Sequence, residues 1–284
     1  MKWLITGAGG MVGSDLRNAL AMRGEDFLAL TKSDLDITDS RAVNDAVVNA
    51  RPSIIVNCAG YTRVDAAESN ERLANAINGS SVEILAQAAN SVDALLLHIS
   101  TDFVFDGRKS SAYEINDPTA PLSAYGRSKL LGEHAATHAK KHLTVRTSWL
   151  FGVNGPNFVE AIRNQILKGS ALLRVVDDQR GRPTYTPHLA DALIRIANQD
   201  ARGVIHYADE PECTWHAFAS AIVEELGAEV VVKPVSTDEF PRPAARPANS
   251  VLSTERYERM TGVKPESWRE GLREYLNAER RMQN

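Results

Sequence analysis

The sequence predicts an α/β fold: a doubly wound parallel sheet with a smaller C-terminal α/β lobe. Three observations carry that expectation. Solid apolar runs alternate with amphipathic stretches through the first half of the chain, as in a parallel sheet covered on both faces. The stretch "TGAGGMVG" sets a glycine turn between the first apolar run and the first amphipathic one. After Gly152 the alternation loosens, although strand and helix patterns continue. Residues 1–150, with the helix near residues 187–199, are therefore expected to form the main lobe, and residues 151–284 a smaller lobe interleaved with it.

Taken in order, "KWLIT" is a buried strand and "MVGSDLRNALAMRG" a helix ended by Gly24. "DFLALT" is the second strand. "DSRAVNDAVVNARP" is a helix that stops before Pro52, because proline lacks the N–H that a helix interior needs. "SIIVNCA" is the third strand. "ESNERLANAINGSSVEILAQAANS" keeps helical spacing over a long span, with Asn78-Gly79 as a kink inside it. "ALLLHIS" is the fourth strand, a helix follows at Tyr125, and "LTVRTSWLFG" is the fifth strand. Beyond it, "NFVEAIRNQILKG", "TPHLADALIRIANQ" and "TWHAFASAIVEELG" read as helices, and "LLRVVDD" and "GVIHYAD" as strands. The proline-bearing "DEFPRPAARPANS" is irregular, and two short helices close the chain around 254–261 and 266–280.

Composition excludes several classes. The 284 residues are 43% hydrophobic and 24% charged with a net charge of −4, which leaves no electrostatic footprint for nucleic acid or a membrane surface. No apolar run reaches the ~18 residues of a membrane helix. "MKWLITGAGG" enters a strand and a glycine turn at once, unlike a signal peptide. Cys58 and Cys213 belong to no C-x-x-C pair, so neither a disulfide framework nor a zinc site is expected, and the cytoplasm is the expected location.

The glycine turn carries the first chemical signal. Gly7 permits a tight turn, Gly10 lets backbone N–H groups approach a pyrophosphate, and Gly13 lets the helix pack close to the sheet. The helix N-terminus adds free donors and a partial positive charge. A site preferring NAD places an acid at the end of the second strand, on the ribose 2′-hydroxyl. Thr31 and Lys32 fall there instead, with Asp34 and Asp36 a little later. Lys32 could meet a 2′-phosphate, which favours NADPH and leaves NADH open; its other reading is a solvated surface lysine.

"SAYGRSKLLGEH" carries the second signal. Tyr125 and Lys129 stand four apart and share a helix face. A free phenol is a poor acid near neutral pH, and a nearby ammonium lowers its pKa. "HISTDFVFDG" ends the fourth strand in Ser100-Thr101, whose hydroxyls could meet the same substrate oxygen. Ligands of open α/β sheets bind outside the carboxyl ends of the strands, where all these residues would lie.

Together, "TGAGGMVG", "NCAGYTRVDAAE", "STDFVFDG", "YGRSKLLGE", "RTSWLFG", "DDQRGRPT" and "RPANSVLST" resemble, in order and over nearly the full length, the dTDP-4-dehydrorhamnose reductase family of extended short-chain dehydrogenase/reductases. The resemblance implies a Rossmann-like lobe, a small substrate lobe, and reduction of a 4-keto sugar nucleotide by NAD(P)H. It implies Thr101, Tyr125 and Lys129 as catalytic residues. It implies Gly10, Met11 and Val12 at the phosphates, Asp36 and Ile37 at the adenine, and Gly60, Tyr61 and Thr62 in the loop after the third strand, where the family usually has alanine for Gly60. Asp102 and Trp149 match substrate contacts. Some members hold magnesium with acidic residues at a subunit interface. Asp15 matches one such position, but Pro187 stands where a glutamate is expected, so no metal ligand is assigned and a homodimer stays open.

Arg182, Arg242 and Arg246 lie in proline-bearing loops and suit a diphosphate, Arg182 being the substrate-binding candidate; solvated loop arginines are the other reading. His134, His138 and His142 lack a third zinc ligand, and Cys58 reads as core filler. Two other functions use the same fold. One is an epimerase or dehydratase of nucleotide sugars, against which "DQRGRPT" argues. The other is a non-catalytic regulatory subunit, against which the intact Thr-Tyr-Lys set argues.

Overall fold

The computed structural model describes residues 1–199 and 201–283. Among these, the strands β1 (Lys2–Thr6), β2 (Asp26–Leu30), β3 (Ile54–Asn57), β4 (Leu95–Thr101) and β5 (His142–Thr147) form one parallel sheet with the strand Gly203–His206. The spatial order is Gly203–His206, β5, β4, β3, β1, β2. The chain thus leaves β1 toward β2 and returns to the other side at β3. That reversal opens a crevice above the carboxyl ends of β1 and β3, where ligands of such sheets bind.

Alternation along the strands sorts the core into two layers. Trp3, Ile5, Ile54, Val56, Leu97, Ile99 and Val145 face one side and pack on α1 (Met11–Met22) and the helix Thr186–Ala197. Leu4, Ile55 and Leu96 face the other and pack on α2 (Ser40–Ala50) and the helix Ser81–Ser91. The helix and the strand contributed from beyond residue 185 therefore belong physically to the main sheet. A third apolar cluster, with Phe151, Phe218, Trp268 and Tyr275, lies in the C-terminal segments. There Leu172–Val176 pairs in parallel with Val231–Val235.

The local signals act as expected at several ends. Gly24 takes φ 67° just past α1, Asp39 caps α2 by accepting from Arg41 and Ala42 N–H, and the segment 241–248 is irregular. Two runs depart from regular structure. The helical span from Glu71 to Ser91 is irregular at Asn78-Gly79, where it widens into a π turn over Ala76–Ser80 and then continues. The run "LTVRTSWLFG" is not one strand. Trp149 takes φ 48°, a left-handed backbone that turns the chain out of the sheet, and Leu150–Phe151 then pairs with Thr184–Tyr185. No described helix is long and apolar enough to cross a membrane.

Candidate active site

The turn between β1 and α1 is built by removing side chains. Gly7 sits at φ 64°, and a Cβ there would stand 2.6 Å from the Ala59 backbone. A Cβ on Gly13 would overlap the Gly7 carbonyl, so the helix can reach the turn only as glycine. Gly10 differs: a Cβ would meet nothing nearer than the Gly7 oxygen at 3.5 Å, and would project into open space. Gly10 is also the N-cap of α1, with no side-chain cap and no acid in the first turn. The leading N–H groups, from Met11 and Val12 onward, are therefore left for an anion.

A groove of about 740 Å³ runs from this turn across the sheet edge. Gly7, Gly10, Thr31, Lys32, Asp36, Ile37, Gly60, Tyr61 and Thr62 all line it, which unites most of the dinucleotide candidates. No acid ends β2. Thr31 donates through N–H (2.9 Å) and hydroxyl (2.6 Å) to Asp34, and Asp36 accepts from Thr38 N–H and hydroxyl. These bonds hold both carboxyls below the usual range. Glycine turn, bare helix end and groove together fit a dinucleotide.

Beside the groove, the helix Ala124–Ala136 lies against the end of β4. Ser123 caps it by accepting from Gly126 N–H. A Cβ on Gly126 or Gly132 would overlap the Phe103 or Asn78 carbonyl, so both glycines are required for the approach. Thr101 donates to Asp102 at 3.0 Å and accepts from Phe103 N–H, beside the Tyr125 phenol. Burial, with the Asp102 carboxylate beside it, pushes the phenol up to about 12. Lys129, 6% exposed, donates to the Ile99 carbonyl at 2.6 Å, and burial brings it down to about 8. The helical spacing therefore brings Tyr125, Lys129 and Thr101 together, but in the chain alone the ammonium does not deliver a lowered phenol pKa. Its charge is spent on a main-chain carbonyl, while desolvation dominates at the tyrosine. Asp102 is itself 2% exposed, has one oxygen without a hydrogen bond, and is pushed up to about 6 by burial.

Trp149 stacks on Trp215 at 3.6 Å, and Gly181 lies under it where a Cβ would overlap the indole. Arg182, the candidate for a diphosphate, is engaged within the chain. Its guanidinium is turned to Glu210 (3.4 Å) and Thr254 (3.3 Å), which ties it to other segments of this lobe. Arg246 forks onto Asp65 at 3.0 and 3.1 Å, and Arg242 lies over Phe240. His138 pairs with Glu83, and the described residues contain no cluster able to hold a metal. Asp15 accepts from Thr186 at 2.6 Å, beside Pro187. Cys58 packs beneath the groove with its thiol pushed up to about 12, inert as expected of core filler.

Sequence reasoning missed Asn78, Glu133 and Trp215. Asn78 sits in the π turn, accepts from Tyr61 N–H at 2.7 Å and donates to the Tyr61 carbonyl and Ser128. It thereby fixes the loop after β3 to the Tyr125 helix. Only Glu133 had a readable signal, as the third member of the four-residue series Tyr125, Lys129, Glu133.

The chain matches the family model described as the RmlD substrate binding domain over residues 1–281. It is 43% identical over 286 aligned residues to the dTDP-4-dehydrorhamnose reductase of Mycobacterium tuberculosis, covering 98% of this chain and 93% of that one. Among solved structures it is similar to the dTDP-4-dehydrorhamnose reductase of Clostridium acetobutylicum, with TM-score 0.95 and 39% identity over 99% of this chain and 100% of the other. It is also similar to that of Bacillus anthracis in complex with NADP, with TM-score 0.93 and 36% identity over 98% and 99% of the two chains. Full-length matches at this identity, on a fold whose glycine turn and Thr-Tyr-Lys set occupy one sheet edge, establish that the chain belongs to the dTDP-4-dehydrorhamnose reductase family.

Proposed function

We propose that the protein reduces the C4 keto group of a nucleotide-activated 6-deoxy sugar, converting dTDP-4-dehydro-L-rhamnose to dTDP-L-rhamnose, with NADPH as reductant. The observation that carries this reading is the meeting of Thr101, Tyr125 and Lys129 beside a groove sized for a dinucleotide. When bound, the nicotinamide supplies the hydride to C4. Tyr125 donates the proton to the oxygen that becomes the alcohol, as a general acid. Its phenol is fully protonated at neutral pH, the form this step consumes. Thr101, beside the phenol, donates to the same oxygen and stabilises charge developing on it. Lys129, released from Ile99, holds the nicotinamide ribose. The N–H groups of Met11 and Val12 hold the pyrophosphate, and Ile37 buries the adenine. Asp102 and Trp149 face the sugar.

NADPH is favoured over NADH because no acid ends β2 and Lys32 stands at the groove. The neighbour from Bacillus anthracis was solved with NADP, which supports the same choice. Incubation with dTDP-4-dehydro-L-rhamnose and each reduced cofactor, with NMR identification of the product, tests the reading. Failure to form dTDP-L-rhamnose with either cofactor overturns it.

A further inference from the structure

Behind the catalytic pair lies a buried ion pair that the reaction as described does not use. Glu133 and Arg146 have side chains only 6% and 5% exposed. Arg146 forks onto Glu133, Nε to Oε1 at 2.8 Å and Nη2 to Oε2 at 2.7 Å. Ser100 donates to Glu133 Oε1 at 2.5 Å. Ser100 and Arg146 are register partners on β4 and β5, so one carboxylate grips both strands. Arg146 is held in turn by His206 at 3.3 Å and by the face of Phe105.

Two successive turns of one helix face thus take hold of two successive residues of β4, Lys129 the Ile99 carbonyl and Glu133 the Ser100 hydroxyl, and Tyr125, one turn earlier on that face, stands beside Thr101. We propose that Glu133, clamped by Arg146, is a positioning residue for the reduction: it locks the end of β4 against the catalytic helix and keeps a negative charge behind Lys129. The inference rests on the ketoreductase reading and goes beyond it, because Glu133 need touch neither substrate nor cofactor.

Electrostatics agree with the geometry. Burial lowers the Lys129 pKa to about 8, and Glu133, the larger of the two opposing charges, raises it. The other ionisable groups facing this cluster are Cys58 after β3, His98 from β4, Tyr125 from the same helix, Asp102 after β4, and Arg146 and His206 from the far strands. Burial holds His98 and His206 neutral, His206 at about 3. Glu133 is therefore the carboxylate of the set that faces both Lys129 and Arg146. Without it, Lys129 loses a favourable neighbour and faces the unmasked charge of Arg146.

The test is made on the full-length protein, with wild-type turnover measured first so that failure of the ketoreductase reading is seen separately. NADPH affinity is then titrated by cofactor fluorescence across pH, without sugar. In Glu133→Gln, the alkaline limb of binding should move down by about one pH unit, the size expected for loss of a nearby opposite charge. kcat should fall about tenfold or more, with KM changed less, if alignment of Tyr125 and Thr101 is lost. Glu133→Asp keeps the charge on a shorter arm, so it should restore the limb but not kcat. A folded Glu133→Gln with lowered melting temperature but unchanged limb and kcat would reduce the pair to a structural role and overturn the proposal. If that variant does not fold because Arg146 is left unpaired, Glu133→Asp decides alone: wild-type kcat in it overturns the proposal, and a reduced kcat with an unmoved limb supports it.

Discussion

The glycine turn after β1 and the end of β4 lie at the same sheet edge, yet they prepare for a ligand in opposite ways. The turn is made of absences: no side chain at Gly7, Gly10 or Gly13, no cap on α1, and no acid in its first turn. Its chemistry is that of bare backbone donors. The end of β4 is made of ionisable groups withdrawn from solvent: Asp102, Lys129, Glu133 and Arg146, which are buried, and the half-buried Tyr125. Each is moved from its ordinary behaviour by burial or held by a partner distant in sequence. In the proposed reaction the first design binds and the second reacts. A binding site for a fixed anion needs geometry only, whereas proton transfer needs groups whose charge the protein controls.

The sharpest way to break this division is at the reacting side. Tyr125→Phe keeps the ring that packs edge-on against Phe103 and removes the proton. It should lower kcat by ~10²–10⁴-fold, the usual worth of a general acid, and leave NADPH affinity nearly unchanged. Thr101→Val, which removes a hydrogen bond and not the donor, should cost less. Steady-state kinetics with a 4-keto sugar nucleotide, beside a cofactor titration, reads both. A fully active Tyr125→Phe enzyme would mean that the buried cluster is not the reacting side.

At the binding side the expected effect is smaller and falls on affinity. Gly10→Val places a side chain in open space, so the fold should tolerate it while the pyrophosphate is pushed away from the helix end. NADPH affinity should fall by about tenfold or more, as for one or two lost charge-assisted hydrogen bonds. Gly13→Ala should do the reverse, because its Cβ overlaps the Gly7 carbonyl. It should lose ~1–3 kcal/mol of stability through overpacking before any ligand is involved. Melting temperature and cofactor titration of the two variants separate the roles. Unchanged NADPH affinity in a folded Gly10→Val protein would refute the phosphate site.

The two regions were unequally legible. The turn could be read from eight consecutive residues, because its geometry follows from local rules about glycine and helix ends. Tyr125 and Lys129 were readable for a similar reason, since i, i+4 spacing fixes a shared face. The buried cluster was not. Glu133 finds Arg146 thirteen residues away and Ser100 thirty-three away, and Asn78 reaches fifty residues to Ser128. Only the packing of the helix on β4 and β5 creates those contacts. Burial itself, which sets the direction of every large pKa shift here, is also a tertiary property. The sheet was legible because buried parallel strands are written as apolar runs. The break at Trp149 was not, since nothing apolar distinguishes a strand that ends from one that turns.

The buried groups at β4 should also leave a mark on stability. Asp102 is held at about 6, above its ordinary value, so between about 4 and 6 the folded protein keeps a proton that the unfolded chain has released. Stability is therefore lost as pH rises through that window and is not regained above it. Asp102→Asn should abolish the slope and make the protein more stable at pH 7 by about 1–3 kcal/mol. Urea unfolding at pH 4.5 and pH 7 checks this. A variant no more stable than wild type at neutral pH would mean that the carboxylate is well solvated and the site less buried than the geometry indicates.

The smallest effect belongs to cofactor choice and returns to the binding side. Lys32 is exposed at the groove, beside a β2 end without an acid, and Asp34 and Asp36 are turned to Thr31 and Thr38. An exposed cation acting on a 2′-phosphate is screened by solvent, so it is worth only about 0.2–1 kcal/mol. Lys32→Ala should therefore lower kcat/KM for NADPH by about two- to fivefold and leave NADH almost untouched. The interaction spans water, so raising the salt concentration should erode the NADPH advantage of the wild-type enzyme and change little in the variant. Measuring kcat/KM for both cofactors at low and high salt gives four numbers per protein. A strong wild-type preference for NADH, or an NADPH preference that survives both Lys32→Ala and high salt, would place the choice in buried contacts, and the binding side would then resemble the reacting side more than its bare backbone implies.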